Sequence, residues 1–208
     1  AALHARGRIA ERLPLYVTEY GYESNPPDTK RGVSPEDQAR YLAHATYLAW
    51  RHPDTRMFAQ FLLRDIGPDP RHADDAERRW GNWQSGLYTH DGRAKPALQA
   101  FKLPFWAETH EVDGRLVTVV FGQVRPGRGR QTVTIEYQEP DGRWVEARSR
   151  DARPGADTAC EHEGRAFLTD RAGFYHRVLP WRGERAYRAR WLRPDGRGEY
   201  GLPVGARR

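Results

Sequence analysis

A carboxylate, an aromatic ring and a glycine close a short apolar run near the start of the chain, Leu13-Pro-Leu-Tyr-Val-Thr-Glu-Tyr-Gly21. Leu15, Tyr16, Val17 and Thr18 are β-prone and read as a buried strand opened by Pro14. Alternation along a strand sends Leu15, Val17 and Glu19 to one side, so a charge follows two core-type residues on one face. Burying a lone carboxylate costs several kcal/mol or forces a proton onto it, so Glu19 is expected to face a polar cavity at the strand end. Gly21 permits a sharp turn just beyond. Barrel enzymes keep their acid, base and nucleophile carboxylates at the C-terminal ends of parallel strands. The plainer reading is a solvated Glu that opens a loop.

A second apolar run, Met57 to Leu63, ends in Arg64 and Asp65 as the first ends in Glu19. If the two strands are parallel, both ends lie on one sheet edge and Glu19 and Asp65 come near each other. Arg64 beside Asp65 reads as a structural ion pair ahead of a substrate contact. The loop from Gly67 to Gly81 then delivers Trp80 and Trp83. Indole rings above a strand end serve as platforms for the apolar C–H faces of sugars; Trp83 serves equally well as a core residue capping a barrel.

These positions need elements to hold them. Leu3 to Arg12 reads as the tail of a helix. Tyr22 to Val33 is a long loop marked by Asn25-Pro26-Pro27-Asp28, and long loops after strands are often functional. Ser34-Pro35-Glu36-Asp37 announces a helix: an N-cap, a proline at the first position and acids at the positive end of the dipole. Its apolar face is expected at Tyr41, Leu42, Ala45, Leu48 and Ala49, with His44 and Tyr47 off it, and His52-Pro53 stops it. Strand, helix, strand makes a right-handed crossover unit with parallel strands. Another helix follows Pro96. From about Phe105 the pattern changes to short alternating runs: Leu116–Phe121, Thr132–Tyr137, Trp144–Arg148, Gly173–Leu179, Ala186–Leu192 and Glu199–Val204. Turn pairs such as Asp113-Gly114, Asp141-Gly142, Pro154-Gly155 and Asp195-Gly196 separate them, which predicts an antiparallel β-sandwich with Tyr187, Ala189 and Trp191 facing inward.

Composition narrows the class. At 208 residues and 38% hydrophobic, with 7 Trp, 10 Tyr and 7 Phe, the chain can build one or two cores. Its net charge of +6 comes from arginine, since Lys30, Lys95 and Lys102 are the only lysines, and acids are interspersed throughout. That mixture argues against a nucleic-acid footprint, and the Arg125–Arg130 loop reads as a solvated hairpin. The single cysteine, Cys160, excludes an internal disulfide and any site needing two thiolates; Cys160-Glu161-His162 reads as a half-buried thiol rather than a metal edge. No run is long enough to span a membrane, and Ala1–Ala10 lacks the apolar core of a signal peptide.

Leu13 to Pro27, Gly32-Val33-Ser34-Pro35, Trp83-Gln84-Ser85-Gly86-Leu87 and Asp91-Gly-Arg-Ala-Lys-Pro-Ala97 together resemble the C-terminal part of cellulase-like glycoside hydrolases, a clan of retaining (β/α)8 barrels. The resemblance implies an α/β portion over 1–104, the last two βα units of a partial barrel, followed over 105–208 by an all-β, antiparallel sandwich similar to immunoglobulin or fibronectin modules. It implies that Glu19 is the nucleophile, and that Tyr22, Phe61, Asp65, Trp80 and Trp83 bind substrate. The resembling enzymes commonly carry Trp at the position of Phe61. It further implies a carbohydrate substrate, no cofactor, no metal, and a secreted or cell-surface bacterial setting with any leader upstream of Ala1. Retention needs two carboxylates about 5–5.5 Å apart. The acid/base Glu of these enzymes ends strand four, which this chain does not contain, so the missing N-terminal barrel portion is an expected partner and the chain alone is expected to be inactive. The alternative is a non-catalytic carbohydrate-binding or surface module in which the sandwich does the work.

Overall fold

A computed structural model describes residues 2–8, 10–151 and 165–206. The stretches around Pro154-Gly155 and Cys160-Glu161-His162 lie outside the described residues. The chain divides into two compact units, Ala1–Leu98 and Gln99–Arg208, with the division falling inside a helix a few residues ahead of the expected boundary at 104/105.

In the first unit, β1 (Leu15–Tyr20) and β2 (Thr55–Gln60) pair in parallel around the crossover helix α2 (Pro35–Arg51). The helix starts as its sequence requires: Ser34 Oγ accepts from the Asp37 amide at 3.0 Å, with Pro35 in the first turn. The His52 amide bonds Leu48 O at 3.0 Å at the other end. Its buried stripe is Gln38, Ala39, Leu42, Ala43, Thr46 and Tyr47. The expected stripe is therefore rotated: Tyr47 is inside and Leu48 is exposed. Small residues at Ala39 and Ala43 allow a close approach that the bulkier side would not. The helix expected over Leu3–Arg12 shrinks to one turn, α1 (Ala2–Ala5), because Gly7 takes a φ of +63°.

Two strand expectations change. β2 ends at Gln60 instead of Leu63, because the backbone beyond it is engaged by the returning loop. The Leu87 amide bonds Leu63 O at 3.0 Å, the Asp65 amide bonds Tyr88 O at 2.9 Å, and the Ile66 amide bonds Trp83 O at 3.0 Å. β1 is not a buried strand: Leu15 is 44% and Tyr16 56% exposed. Among the described residues this sheet has only two strands, β1 and β2. A short helix, α3 (Ala76–Arg79), interrupts the loop, and α4 (Pro96–Lys102) closes the unit's chain path.

The second unit is antiparallel. β3 (Phe105–Val112), β4 (Arg115–Gln123), β9 (Phe174–Pro180) and β7 (Arg150–Asp151) form one sheet in the order β3-β4-β9-β7. β5 (Thr132–Gln138), β6 (Trp144–Glu146), β10 (Ala186–Leu192) and β11 (Gly198–Tyr200) form another, with β8 (Ala166–Leu168) and β12 (Val204–Gly205) pairing to β5 and β10. A single core cluster draws Phe105, Val120 and Leu179 from the first sheet and Ile135, Tyr187 and Trp191 from the second. Tyr187, Ala189 and Trp191 point inward as the alternation predicts. β3 and β4 meet in register across Asp113-Gly114, both at positive φ (49° and 71°), the primed hairpin turn that Asp-Gly favours. The chain as a whole is mixed, with few helices and mostly antiparallel sheet.

Candidate active site

Glu19 stands one residue before the end of β1, and the strand is irregular there. Val17 is paired with Phe58 and Tyr20 with Gln60, so three steps along β1 match two along β2. The extra residue is a bulge, a device that re-aims side chains beside active sites. It breaks the alternation that grouped Val17 with Glu19. Val17 and Tyr20 are the half-buried positions, whereas Thr18 and Glu19 are both exposed. Tyr20 turns toward the helix, donating its hydroxyl to Tyr41 O at 3.0 Å and lying 5.1 Å from Phe58. Burial and the neighbouring tyrosines Tyr22 and Tyr41 push the Tyr20 phenol up. Glu19 is left on the uncovered side, with no hydrogen-bond or ion-pair partner among the described residues. The expected polar cavity is thus replaced by an open face. Tyr16 and its register partner Met57 are exposed as well.

The turn after Glu19 is held tightly. A Cβ on Gly21 would fall on the Phe61 carbonyl oxygen and 2.8 Å from Ser85 Cβ, so no side chain fits. The Phe61 amide bonds Tyr20 O at 2.8 Å, which fixes Phe61 at the same sheet edge as Glu19. Gln60 Nε2 donates to Phe61 O at 2.9 Å and Ser85 O at 2.7 Å, and the Phe61–Leu62 peptide is cis. The Phe61 ring meets Trp83 edge to face at 5.8 Å, and Trp83 is 51% exposed. Phe61 and Trp83 therefore form one aromatic pair at this sheet edge. Tyr22 leans the other way, 4.7 Å from Tyr41 on the helix and 6.0 Å from Tyr20, with its remaining surface exposed.

Asp65 is not positioned as a sugar contact. It is buried, and both of its oxygens accept from Lys95 Nζ at 2.9 Å. Oδ1 also takes the Gly86 amide at 2.7 Å, and Lys95 gives its third bond to Gln84 O at 2.8 Å. Burial lowers the Lys95 ammonium, and Asp65 pulls it back up. The expected partner, Arg64, is exposed instead. Trp80 sits against His90 at 5.2 Å, on the wall of a cleft whose lining contains neither Glu19, Phe61 nor Trp83.

Several residues of the site region carried no sequence signal. Glu23 and Asp28 are both buried in the loop after β1, and Arg31 lies 3.6 Å from each carboxylate. Burial, then the neighbouring Asp28 carboxyl, pushes the Glu23 carboxyl up, while Arg31 draws it down. For Asp28 burial pushes up too, but the amides of Arg31 and Lys30, the neighbouring Glu23 carboxyl and the Arg31 charge outweigh it and hold the carboxyl below its ordinary value. Each of the chain's lysines is ion-paired: Lys30 with Glu77, Lys95 with Asp65 and Lys102 with Glu199. Lysine was the available clue, being scarce in an arginine-rich chain.

No group of three or more metal-ligating side chains occurs among the described residues, and none of their helices is long and apolar enough to cross a membrane. Comparison with protein-family models, curated proteins and solved structures gives no match.

Proposed function

We propose that the chain is part of a retaining glycoside hydrolase of the cellulase-like clan, secreted or cell-surface, with Glu19 as its nucleophile. The observation that carries this reading is the parallel pairing of β1 and β2, with Glu19 at the end of one strand and the Phe61–Trp83 pair at the end of the other. We read the first unit as the last two βα units of a (β/α)8 barrel and the second as an immunoglobulin-like sandwich. A Glu19 oxygen attacks the anomeric carbon while a second carboxylic acid protonates the leaving oxygen; water then cleaves the glycosyl ester. That second carboxylate belongs to strands supplied from outside this chain. Phe61 and Trp83 offer apolar ring surface to the sugar, the exposed part of Tyr22 offers a further ring, and Asp65 with Lys95 fixes the loop that carries Trp83.

The exposed apolar side of the sheet supports the same reading. Parallel sheets are ordinarily covered on both faces. Further parallel strands beside β1 and β2 would cover Tyr16 and Met57 and enclose Glu19. The test is to join the chain to its upstream barrel strands and assay aryl glycosides with and without Glu19→Gln. Loss of turnover in the variant is expected; equal activity would end the assignment.

A second reading has one observation in its favour. On the outer side of the β5–β10 sheet, Arg188 is stacked 4.1 Å from Trp144 and 4.2 Å from Tyr200. An aromatic row of this kind would suit a carbohydrate-binding module. Retention of the full chain on insoluble polysaccharide, abolished by Trp144→Ala and untouched by Trp83→Ala, would favour it.

A further inference from the structure

The cleft that holds Trp80 is not used by the chemistry above. It has a volume of about 430 Å³, and all its walls belong to the first unit. That volume is in the range of small-molecule sites, about 300–1,000 Å³. Pro26 and Pro27 from the loop after β1 line it together with Trp80. These three side chains are apolar and short of rotatable bonds. Lys95 and Asp65 reach the cleft already spent on each other: the three Nζ donors go to Asp65 Oδ1, Asp65 Oδ2 and Gln84 O.

Two groups on the rim are not spent. Arg93 engages Asp91 through Nε at 3.0 Å, and its two Nη groups have no acceptor among the described residues. His90 touches the Trp80 ring, and neither of its ring nitrogens has a partner there. The cleft therefore offers an indole and proline surface for a ring, and a guanidinium fork with an imidazole for a negative group. A guanidinium with both Nη groups free matches a carboxylate in bidentate geometry.

We propose that this cleft is a second ligand site and that it takes a sugar acid, a pyranose ring bearing a carboxylate. The ring lies along Trp80 and the prolines, and the carboxylate meets Arg93 and His90. The choice of a sugar ring rests on the carbohydrate reading above; the negative charge rests on the cleft alone. The site is separate from Glu19, so it works as an anchor for an acidic glycan and not as a place of bond cleavage.

Calorimetric titration of the full 208-residue chain with D-glucuronate, D-glucose and benzoate tests this. Saturable binding of glucuronate is expected, with glucose and benzoate both weaker. Arg93→Gln, which removes both bonds of the bidentate pair, should weaken glucuronate by about tenfold or more. Arg93 is 79% exposed, so that variant keeps the fold, and Trp80→Ala should abolish the binding that Arg93→Gln weakens. Glu19→Gln should leave it unchanged, which separates this site from the nucleophile assignment. The proposal is overturned if glucose binds as tightly as glucuronate, if benzoate alone binds, if Arg93→Gln has no effect, if Glu19→Gln removes binding, or if no ligand saturates.

Discussion

The ion pair between Lys95 and Asp65 is buried on both sides, with side-chain exposures of 5% and 2%. Removing one partner of such a pair leaves an uncompensated buried charge. Lys95→Met is therefore expected to lower stability in chemical denaturation by about 3–5 kcal/mol. The double variant Lys95→Met with Asp65→Leu should recover most of it, because the stranded carboxylate is gone. Glu23 gives a pH signature at the same scale. Its carboxyl is raised in the fold by burial and by Asp28, so the folded state holds the proton more tightly than the unfolded chain. That contribution is complete below the unfolded pKa and disappears as pH rises through the folded one. Asp28 is lowered, so its contribution is present above its unfolded pKa and disappears as pH falls through the folded one. Glu23→Gln, which keeps a hydrogen on the side chain at every pH, should flatten the high-pH limb of a stability profile and leave the acid limb. An unchanged high-pH limb would mean that the Glu23 carboxyl is not raised in the fold.

Helix α2 shows how far local sequence rules reach. Ser34, Pro35, Glu36 and Asp37 are a start signal with a mechanism, and the helix begins where they place it. Ser34→Ala should cost about 0.5–2 kcal/mol in thermal or denaturant unfolding, the value of a lost N-cap. The face of the helix was less legible. Hydropathy alone favours Leu48 over Ala43, but the distance at which helix and sheet pack decides, and no local pattern encodes that distance. β1 failed for a related reason. Period-two reading assumes an even ladder, and the extra residue between Val17 and Tyr20 moves Glu19 relative to the apolar residues before it. Asp65 was legible as a strand-end carboxylate but not as the partner of Lys95, thirty positions away in sequence. In the second unit the turn dipeptides were the stronger guide. β10 runs from Ala186 to Leu192 as the alternation predicts, whereas β3 was missed because Glu108, His110 and Glu111 dilute its apolar signal.

For the molecule as a whole the open side of the β1–β2 sheet is the fact that needs a cause. Two-stranded sheets are marginal in water on their own. Tyr16 and Met57 leave large apolar side chains in solvent, at 56% and 41% exposure, and the proposed barrel would cover them. Met57→Lys separates the alternatives. In the chain alone it should shift stability by no more than about 0.5 kcal/mol, as an exposed substitution does. In a protein that supplies the remaining strands it should prevent folding, since the lysine would enter a closed core; equal tolerance in both settings would refute the barrel. The claim on which the rest depends is that Glu19 bonds to sugar. Its most direct test is to treat the barrel-completed protein with a slow 2-fluoro glycoside, digest it and weigh the peptides. A glycosyl adduct on the peptide carrying Glu19, absent after Glu19→Gln, is the result this account requires. An adduct on a different carboxylate, or turnover with no adduct at Glu19, would contradict it.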